Sequence, residues 1–187
     1  NRAMTSRLSS SSFDSFVRGV VLNPGAVGKN QLSKVTADSE GADFLIITAP
    51  EFLAAANSLH DHKESLGIST VVKTTDDTGI TSAAIKNYIQ DAYDNWSPAP
   101  SYVLLLGDVV YIPVHYRTAD PSNTYYSIGT DLYYACVDGS DYQPDIFLGR
   151  ISVDTLSEAQ TVVQKIINYE NNPPALATFY ANAAVVA

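Results

Sequence analysis

The stretch Tyr102-Val-Leu-Leu-Leu-Gly-Asp108 decides the fold, because its continuous apolar run has the length of a strand that is covered on both faces. A second run of this kind, Phe44-Leu-Ile-Ile-Thr-Ala49, precedes it, and β-branched residues enrich the segment from Ile68 to Thr74. Ile146 to Arg150 is the next main strand. Strands buried on both faces are typical of parallel sheets. We therefore predict an α/β fold in which a parallel β-sheet is flanked by helices.

Helical patterns separate these predicted strands. Pro50 suits the first turn of a helix whose apolar stripe ends before Gly67, and Thr81 can cap a second helix. Overlapping capping boxes, Thr155 to Glu158 and Ser157 to Gln160, open a third helix. Each crossover between parallel strands should be right-handed, and the pattern predicts a strand order of about 2-1-3-4.

The chain divides into two parts near residue 40. Residues 1–40 are polar and Ser-rich, which predicts a partly ordered N-terminal extension, and residues 41–187 form one domain. The start at Asn1 and a strand-like end, Phe179 to Ala187, indicate a fragment that is truncated at its C-terminal end. Within the domain, Gly107 to Ser140 departs from the strand–helix pattern, and a loop of this length is usually functional. We expect Tyr133 to Val137 to form a small strand inside it.

Composition excludes several classes of function. The 187 residues carry a net charge of −9 with 11 Lys and Arg residues, so we expect no nucleic-acid partner. We also expect no transmembrane segment, because no apolar run is long enough to span a bilayer. The one cysteine excludes an internal disulfide and a zinc site built from several cysteines. The glycine patterns of dinucleotide-binding and P-loop proteins and the Gly-x-Ser-x-Gly elbow of serine hydrolases are absent.

Three residues are candidates for lining a substrate cleft or organising a loop. Asp108 follows the third predicted strand, where ligands bind parallel sheets, although an aspartate there more often shapes a turn. Arg150 ends a buried strand and needs acceptors, which Asp108, Asp131 or Asp145 could supply. We expect Arg150 to fix the long loop against the sheet, with Asp108 and Asp131 beside it.

Asp138, Asp141 and Asp145 are weaker candidates for a metal site. Three carboxylates within eight residues could bind calcium, which requires several oxygen ligands. Their spacing does not match a helix–loop–helix calcium loop. A solvated hairpin turn at Asp138-Gly139 is the alternative that we favour. No cofactor is required by any motif of the chain.

The histidines and the cysteine give no catalytic pair. His60 and His62 are two residues apart on a predicted helix, so they point in different directions and we expect surface or interface positions. Cys136 and His115 are the one combination of cysteine-hydrolase type in this chain. Because Cys136 falls within the predicted strand Tyr133 to Val137, we expect a packed and inert thiol.

An ordered set of short motifs resembles the gingipain-type cysteine peptidases, a caspase-like family. The set comprises Ala42-Asp-Phe-Leu-Ile-Ile-Thr-Ala-Pro50, Leu66-Gly67, Ala84-Ile-Lys-Asn-Tyr-Ile89, Val103-Leu-Leu-Leu-Gly-Asp-Val109, Ile112-Pro113, Asp131-Leu-Tyr-Tyr-Ala135, Asp138-Gly139, Pro144-Asp-Ile-Phe-Leu-Gly-Arg150 and Lys165-Ile-Ile-Asn-Tyr-Glu170. Each piece alone is unspecific, and their order and separation carry the resemblance.

The resemblance implies that residues 41–187 are the first of two caspase-like halves and that residues 1–40 end a pro-region. It places the nucleophilic cysteine and a His-Gly motif in the second half, so it assigns no catalytic residue here. It also implies a bacterial protein that is secreted or displayed at the cell surface and acts on peptides or proteins. Three alternatives remain open. They are a non-catalytic adhesion or interaction module, a sortase-like transpeptidase of a secretion system, and a small-molecule enzyme with Asp108 as phosphoacceptor or metal ligand.

Overall fold

A computed structural model describes residues 41–118 and 127–175 of the chain. The predicted extension, residues 1–40, and the predicted strand Phe179 to Ala187 lie outside these residues. The described strands are β1 (Phe44–Thr48), β2 (Thr70–Thr74), β3 (Tyr102–Leu106), β4 (His115–Thr118), β5 (Ser127–Thr130) and β6 (Phe147–Ile151). Four of them form a parallel sheet in the order β2-β1-β3-β6. The predicted fold class and strand order are confirmed, since β6 is the fourth main strand.

The helices are α1 (Leu53–Ser65), α2 (Thr75–Thr78), α3 (Ser82–Asn95), α4 (Leu132–Ala135) and α5 (Leu156–Asn171), and a 3-10 turn, Pro50–Phe52, leads into α1. Helices α1 and α5 pack on the sheet face that carries Ile46 and Leu106. Helix α3 packs on the opposite face, against Leu45 and Leu105. Because successive residues of a strand point to opposite faces, these adjacent apolar residues fill both cores. In the part of the chain that the structure describes, no helix has the length and apolar character needed to cross a bilayer.

Local capping explains where the helices begin. The hydroxyl of Thr81 accepts a hydrogen bond from the backbone N–H of Ala84 at 3.2 Å, as predicted. At α5 the capping box is formed by Thr155 and Glu158, so Ser157 lies within the first turn and does not act as the cap. The short helix α2 was not predicted, although Thr74 and Asp77 form a capping box at its start.

Residues 107–145, which we call the carboxyl-end module, connect β3 to β6. Strands β4 and β5 pair antiparallel in it, and α4 follows. The predicted strand from Tyr133 to Val137 is therefore wrong. A short apolar run does not distinguish a strand from a helix by its periodicity. Here the helical turn buries Tyr134 and Ala135 in the α3-side core, while Tyr133 stacks on His115.

Candidate functional site at the carboxyl end of the sheet

The chain leaves β3 through a glycine that the local geometry requires. Gly107 has φ +144°, and a Cβ atom there would lie 3.2 Å from the Cβ of Tyr111. Its N–H donates to the carbonyl of Ile151 at 2.9 Å, which extends the ladder to β6. The carbonyl of Asp108 then accepts hydrogen bonds from Tyr111 and Ile112 at 3.0 and 2.9 Å. The resulting turn directs the module over the carboxyl end of the sheet.

Arg150 holds this module with four hydrogen bonds. Its Nε and Nη2 donate to the two carboxylate oxygens of Asp131 at 2.7 and 2.8 Å. Its Nη1 donates to the carbonyl oxygens of Gly107 and Ile112, each at 2.9 Å. The Arg150 side chain is 10% exposed and that of Asp131 is 23% exposed. A guanidinium this well enclosed fixes three points of the chain relative to β6, because its donors form a planar fork.

Asp131 is therefore the partner among the three carboxylates that the sequence offered for Arg150. Asp108 is half-buried, and its carboxylate makes no hydrogen bond or ion pair with any residue that the structure describes. Its backbone carbonyl, rather than its side chain, shapes the turn after β3. The structure thus brings Asp131 and Arg150 together and leaves the Asp108 carboxylate at the same edge of the sheet.

Asp145 organises the other end of the module. Its Oδ2 accepts hydrogen bonds from the backbone N–H groups of Val137 and Asp138, both at 2.8 Å, and its own N–H donates to the carbonyl of Ala135 at 2.9 Å. These bonds close the loop between α4 and β6, which contains Asp138 and Gly139. The antiparallel strand pair of the module is β4 with β5. The predicted hairpin turn at Asp138-Gly139 is therefore wrong.

The same contacts bear on the calcium hypothesis. Asp141 accepts a hydrogen bond from the N–H of Gln143 at 2.9 Å, and Asp138 is exposed. Within residues 41–118 and 127–175, no three His, Cys, Asp or Glu side chains are grouped so that they could hold a metal ion. Calcium binding by Asp138, Asp141 and Asp145 stays a prediction.

Cys136 is not the strand residue that the sequence indicated. It lies at the C-terminal end of α4, is half-buried, and donates its thiol hydrogen to the carbonyl of Leu132 at 3.3 Å. Burial raises the pKa of the Cys136 thiol, although the nearby Lys86 opposes that change. His115 stacks on Tyr133 with ring centroids 3.9 Å apart and forms no hydrogen bond with Cys136. A thiol whose pKa is raised, with no hydrogen-bonded base, lacks the activation that a nucleophile needs.

The two other histidines lie on α1. His62 is buried between α1 and α5, and its Nε2 lies 2.8 Å from Oε2 of Glu170. Lys63 donates to Oε1 of the same carboxylate at 2.6 Å. The prediction of different directions is correct, since His60 contacts Asp61 instead.

Three residues that shape the module were not predicted from the sequence. Tyr134 is fully buried and its hydroxyl donates to the carbonyl of Pro113, while burial raises its pKa to about 12. Lys86 and Gln90, one turn apart on α3, donate to the carbonyls of Cys136 and Val137. Their spacing of four residues indicates that the two side chains lie on one face of the helix. It does not show which backbone carbonyls they bind.

Comparison with known proteins identifies the family. Peptidase family C25 matches residues 37–187. Gingipain R2 of Porphyromonas gingivalis is 26% identical over 137 residues, which is 72% of this chain and 18% of that protein. Lys-gingipain of the same organism is 30% identical over 131 residues, or 67% of this chain and 7% of that protein. The chain therefore spans less than a fifth of either relative.

Solved structures show the same fold. The Arg-specific cysteine proteinase gingipain R (RgpB) superposes with a TM-score of 0.60 at 25% identity, over 73% of this chain and 30% of that one. Dimeric latent PorU from Porphyromonas gingivalis gives a TM-score of 0.61 at 20% identity, over 77% of this chain and 17% of that one, a likeness of fold alone. The described sheet, its flanking helices and the family match agree, and the chain belongs to peptidase family C25, with residues 37–187 forming part of a gingipain-type peptidase domain.

Proposed function

We propose that the protein is a cysteine endopeptidase in which this chain supplies the first caspase-like half of the peptidase domain. A second half of the same polypeptide would supply the Cys/His dyad and hydrolyse a peptide bond through an acyl-enzyme. The family match supports the reaction class. The raised pKa of Cys136 and its contact with a backbone carbonyl support the placement of the nucleophile elsewhere.

The role of this half is to hold the carboxyl-end module where a peptide substrate would pass. The observation that carries this role is the Arg150 guanidinium, which binds Asp131 and two backbone carbonyls in one plane. Ligands of parallel α/β sheets bind outside the carboxyl ends of the strands, which is where this module lies. The acidic composition and the gingipain relatives support secretion or display at the bacterial cell surface as its location.

The test is the peptidase activity of the full-length protein on an unlabelled protein substrate. The activity is measured as the rate at which new amino termini are released. Iodoacetamide should abolish the activity of both the unaltered protein and the Cys136→Ser variant, because the reactive thiol is not Cys136. The Cys136→Ser variant should keep kcat/KM within about twofold. Activity that resists alkylation, or that disappears in Cys136→Ser, would contradict the proposed dyad.

Arg150→Lys tests the role of the module in the same assay. Lysine keeps the charge but loses the planar fork, so the module should loosen and kcat/KM should fall about tenfold or more. Lys165→Arg, an exchange at an exposed position of α5, is the matched control and should leave kcat/KM unchanged. Unchanged activity in Arg150→Lys would show that the module does not position substrate.

A further inference from the structure

The carboxyl-end module borders a cavity, open to solvent on one side, that the Arg150 contacts do not use. Strands β4 and β5, helix α4 and the loop at residues 139–142 surround a volume of about 680 Å³, within the usual size of small-ligand pockets. Ile128, Leu132 and the ring of Tyr133 give it an apolar part. The β4–β5 hairpin therefore does more than connect β3 to α4, because it forms one side of this cavity.

Cationic side chains gather on this cavity against the overall charge of the chain. Lys86 and Arg117 line it beside the ring of His115, and Asp141 is the single carboxylate among its described lining residues. The whole chain has 20 Asp and Glu against 11 Lys and Arg, so a local excess of cations is not what composition predicts. Such a distribution attracts anions to the cavity.

Arg117 and Lys86 have N–H donors to spare. The Arg117 guanidinium lies 4.0 Å over the ring of Tyr142 and, among residues 41–118 and 127–175, forms no hydrogen bond or ion pair. Lys86 donates one hydrogen bond to the carbonyl of Cys136 and has two further N–H donors. Arg150, in contrast, uses its donors on four oxygens of the protein itself.

Two of the carboxylates nearby already bind backbone N–H groups of the module. Asp141 accepts a hydrogen bond from the N–H of Gln143, and Asp145 accepts two from Val137 and Asp138. Burial lowers the pKa of Lys86, and Cys136, Asp145 and Asp94 act in the opposite direction. Burial therefore disfavours the Lys86 charge, and an anion bound beside it would offset that cost.

We propose that this cavity binds a carboxylate attached to an apolar group, with Arg117 and Lys86 contacting the carboxylate and Tyr133 and Ile128 contacting the apolar part. Planar guanidinium and carboxylate groups pair in bidentate fashion, and aromatic rings favour a flat apolar neighbour. An acidic residue beside an aromatic one in a peptide segment offers this chemistry, and so does a small free carboxylic acid. The site needs no catalytic step, so its test is independent of peptidase activity.

Calorimetric titration of the full chain with four probes tests the binding chemistry. The probes are the blocked dipeptide Asp-Phe, its neutral counterpart Asn-Phe, hydrocinnamate, and its neutral amide. The charged member of at least one pair should bind about tenfold more tightly than its neutral member, since hydrogen bonds to charged groups are the stronger ones. Binding of Asp-Phe alone identifies a peptide segment as the source, whereas binding of hydrocinnamate as well identifies free acids too. No binding of either acid, or equal binding of the amides, overturns the proposal.

Paired substitutions place the binding in this cavity. Arg117→Gln removes one positive charge from an exposed side chain, so folding should persist, and an unchanged Tm confirms it. We expect the charged probe to bind Arg117→Gln about tenfold more weakly. Lys165→Gln makes the same change of net charge on α5 and should alter the affinity by less than about twofold. Equal weakening in both variants would indicate general charge attraction and would overturn the assignment.

Discussion

The four-stranded sheet with α1, α3 and α5, here called the sheet layer, and the carboxyl-end module are held in different ways. In the sheet layer, Ile46, Ile89 and Leu105 are fully buried, and the cores on the two faces are built mainly from aliphatic side chains. Apolar burial has no preferred direction and scales with the area removed from water. The layer therefore depends on how well many small contacts fill the space, rather than on any one bond.

The module depends instead on a few polar side chains that bind backbone groups. Arg150 binds the carbonyls of Gly107 and Ile112, and Tyr134 binds the carbonyl of Pro113. Asp145 binds the N–H groups of Val137 and Asp138. Irregular backbone has few hydrogen-bond partners in neighbouring strands, so side chains must supply them. Because the core is shared, loss of one core side chain should weaken both regions together. Loss of one polar anchor should loosen the module alone.

Leu105→Ala should have the largest effect on stability. Leu105 is fully buried in the core that also contains Ile112 and Tyr134, so it supports both regions. We expect the free energy of unfolding to fall by about 2 to 5 kcal/mol, as for other buried leucines. Urea denaturation measures it, and a single shared transition is expected. Val110→Ala, at an 81% exposed position, is the control and should change little. Separate melting of the module would contradict the shared core.

Tyr134→Phe should give an intermediate effect confined to the module. The change removes the hydroxyl that donates to Pro113 and keeps the ring, so we expect a loss of about 1 kcal/mol. Hydrogen exchange should accelerate in residues 114–118 and 127–135, with the amides of β1 and β3 unchanged. Tyr142→Phe, at a 66% exposed ring, is the matched control. Faster exchange across the whole sheet would show that the hydroxyl supports both regions.

Tyr134 also gives the comparison a pH signature. Burial raises its pKa from 10.0 to about 12, so the folded chain holds the phenolic proton more tightly than the unfolded chain. Its contribution is therefore fully present below pH 10 and is lost as the pH rises toward 12. The Tyr134→Phe variant should show a smaller decline of stability over that range. An identical decline in both proteins would assign it to other groups.

The same contrast explains what the sequence could predict. The sheet layer was predicted with its strand order because buried strands such as Tyr102 to Leu106 appear as continuous apolar runs, and caps such as Thr81 appear as single residues at fixed offsets. The internal structure of the module was not predicted. Its shape depends on contacts between residues far apart in the sequence, such as Tyr134 with Pro113 and Lys86 with Cys136. The periodicity of apolar residues along a segment gives no indication of such contacts.

The candidate site lies between these extremes. The sequence indicated that Arg150 needs an acceptor at the end of a buried strand, and it offered Asp108, Asp131 and Asp145 without distinguishing them. Only the folded structure shows that Asp131 is the acceptor. The Asp145 carboxylate instead accepts hydrogen bonds from the N–H groups of Val137 and Asp138. The cavity lined by Arg117 and Lys86 had no sequence signal, since these residues lie 31 positions apart in the sequence and only the fold brings them together.

The smallest effect should come from Glu170→Gln, which tests a polar contact inside the apolar layer. Burial acts to raise the pKa of Glu170, but hydrogen bonds from Lys63 and His62 outweigh it, and the pKa lies below its ordinary value of 4.5. A carboxylate with a lowered pKa stabilises the fold above pH 4.5, and that contribution is lost as the pH falls through its folded value.

Because the Glu170 side chain is 30% exposed, solvent screens the pair and we expect at most about 1 kcal/mol at pH 7. Thermal melts from pH 7 to pH 3 should show a smaller decline of Tm in Glu170→Gln than in the unaltered chain. Glu51→Gln, at an exposed residue of the 3-10 turn, is the control for the loss of one carboxylate. Equal declines in all three proteins would mean that α1 and α5 associate through their apolar faces alone. The sheet layer would then depend on apolar contacts only, and polar contacts would stabilise the module only.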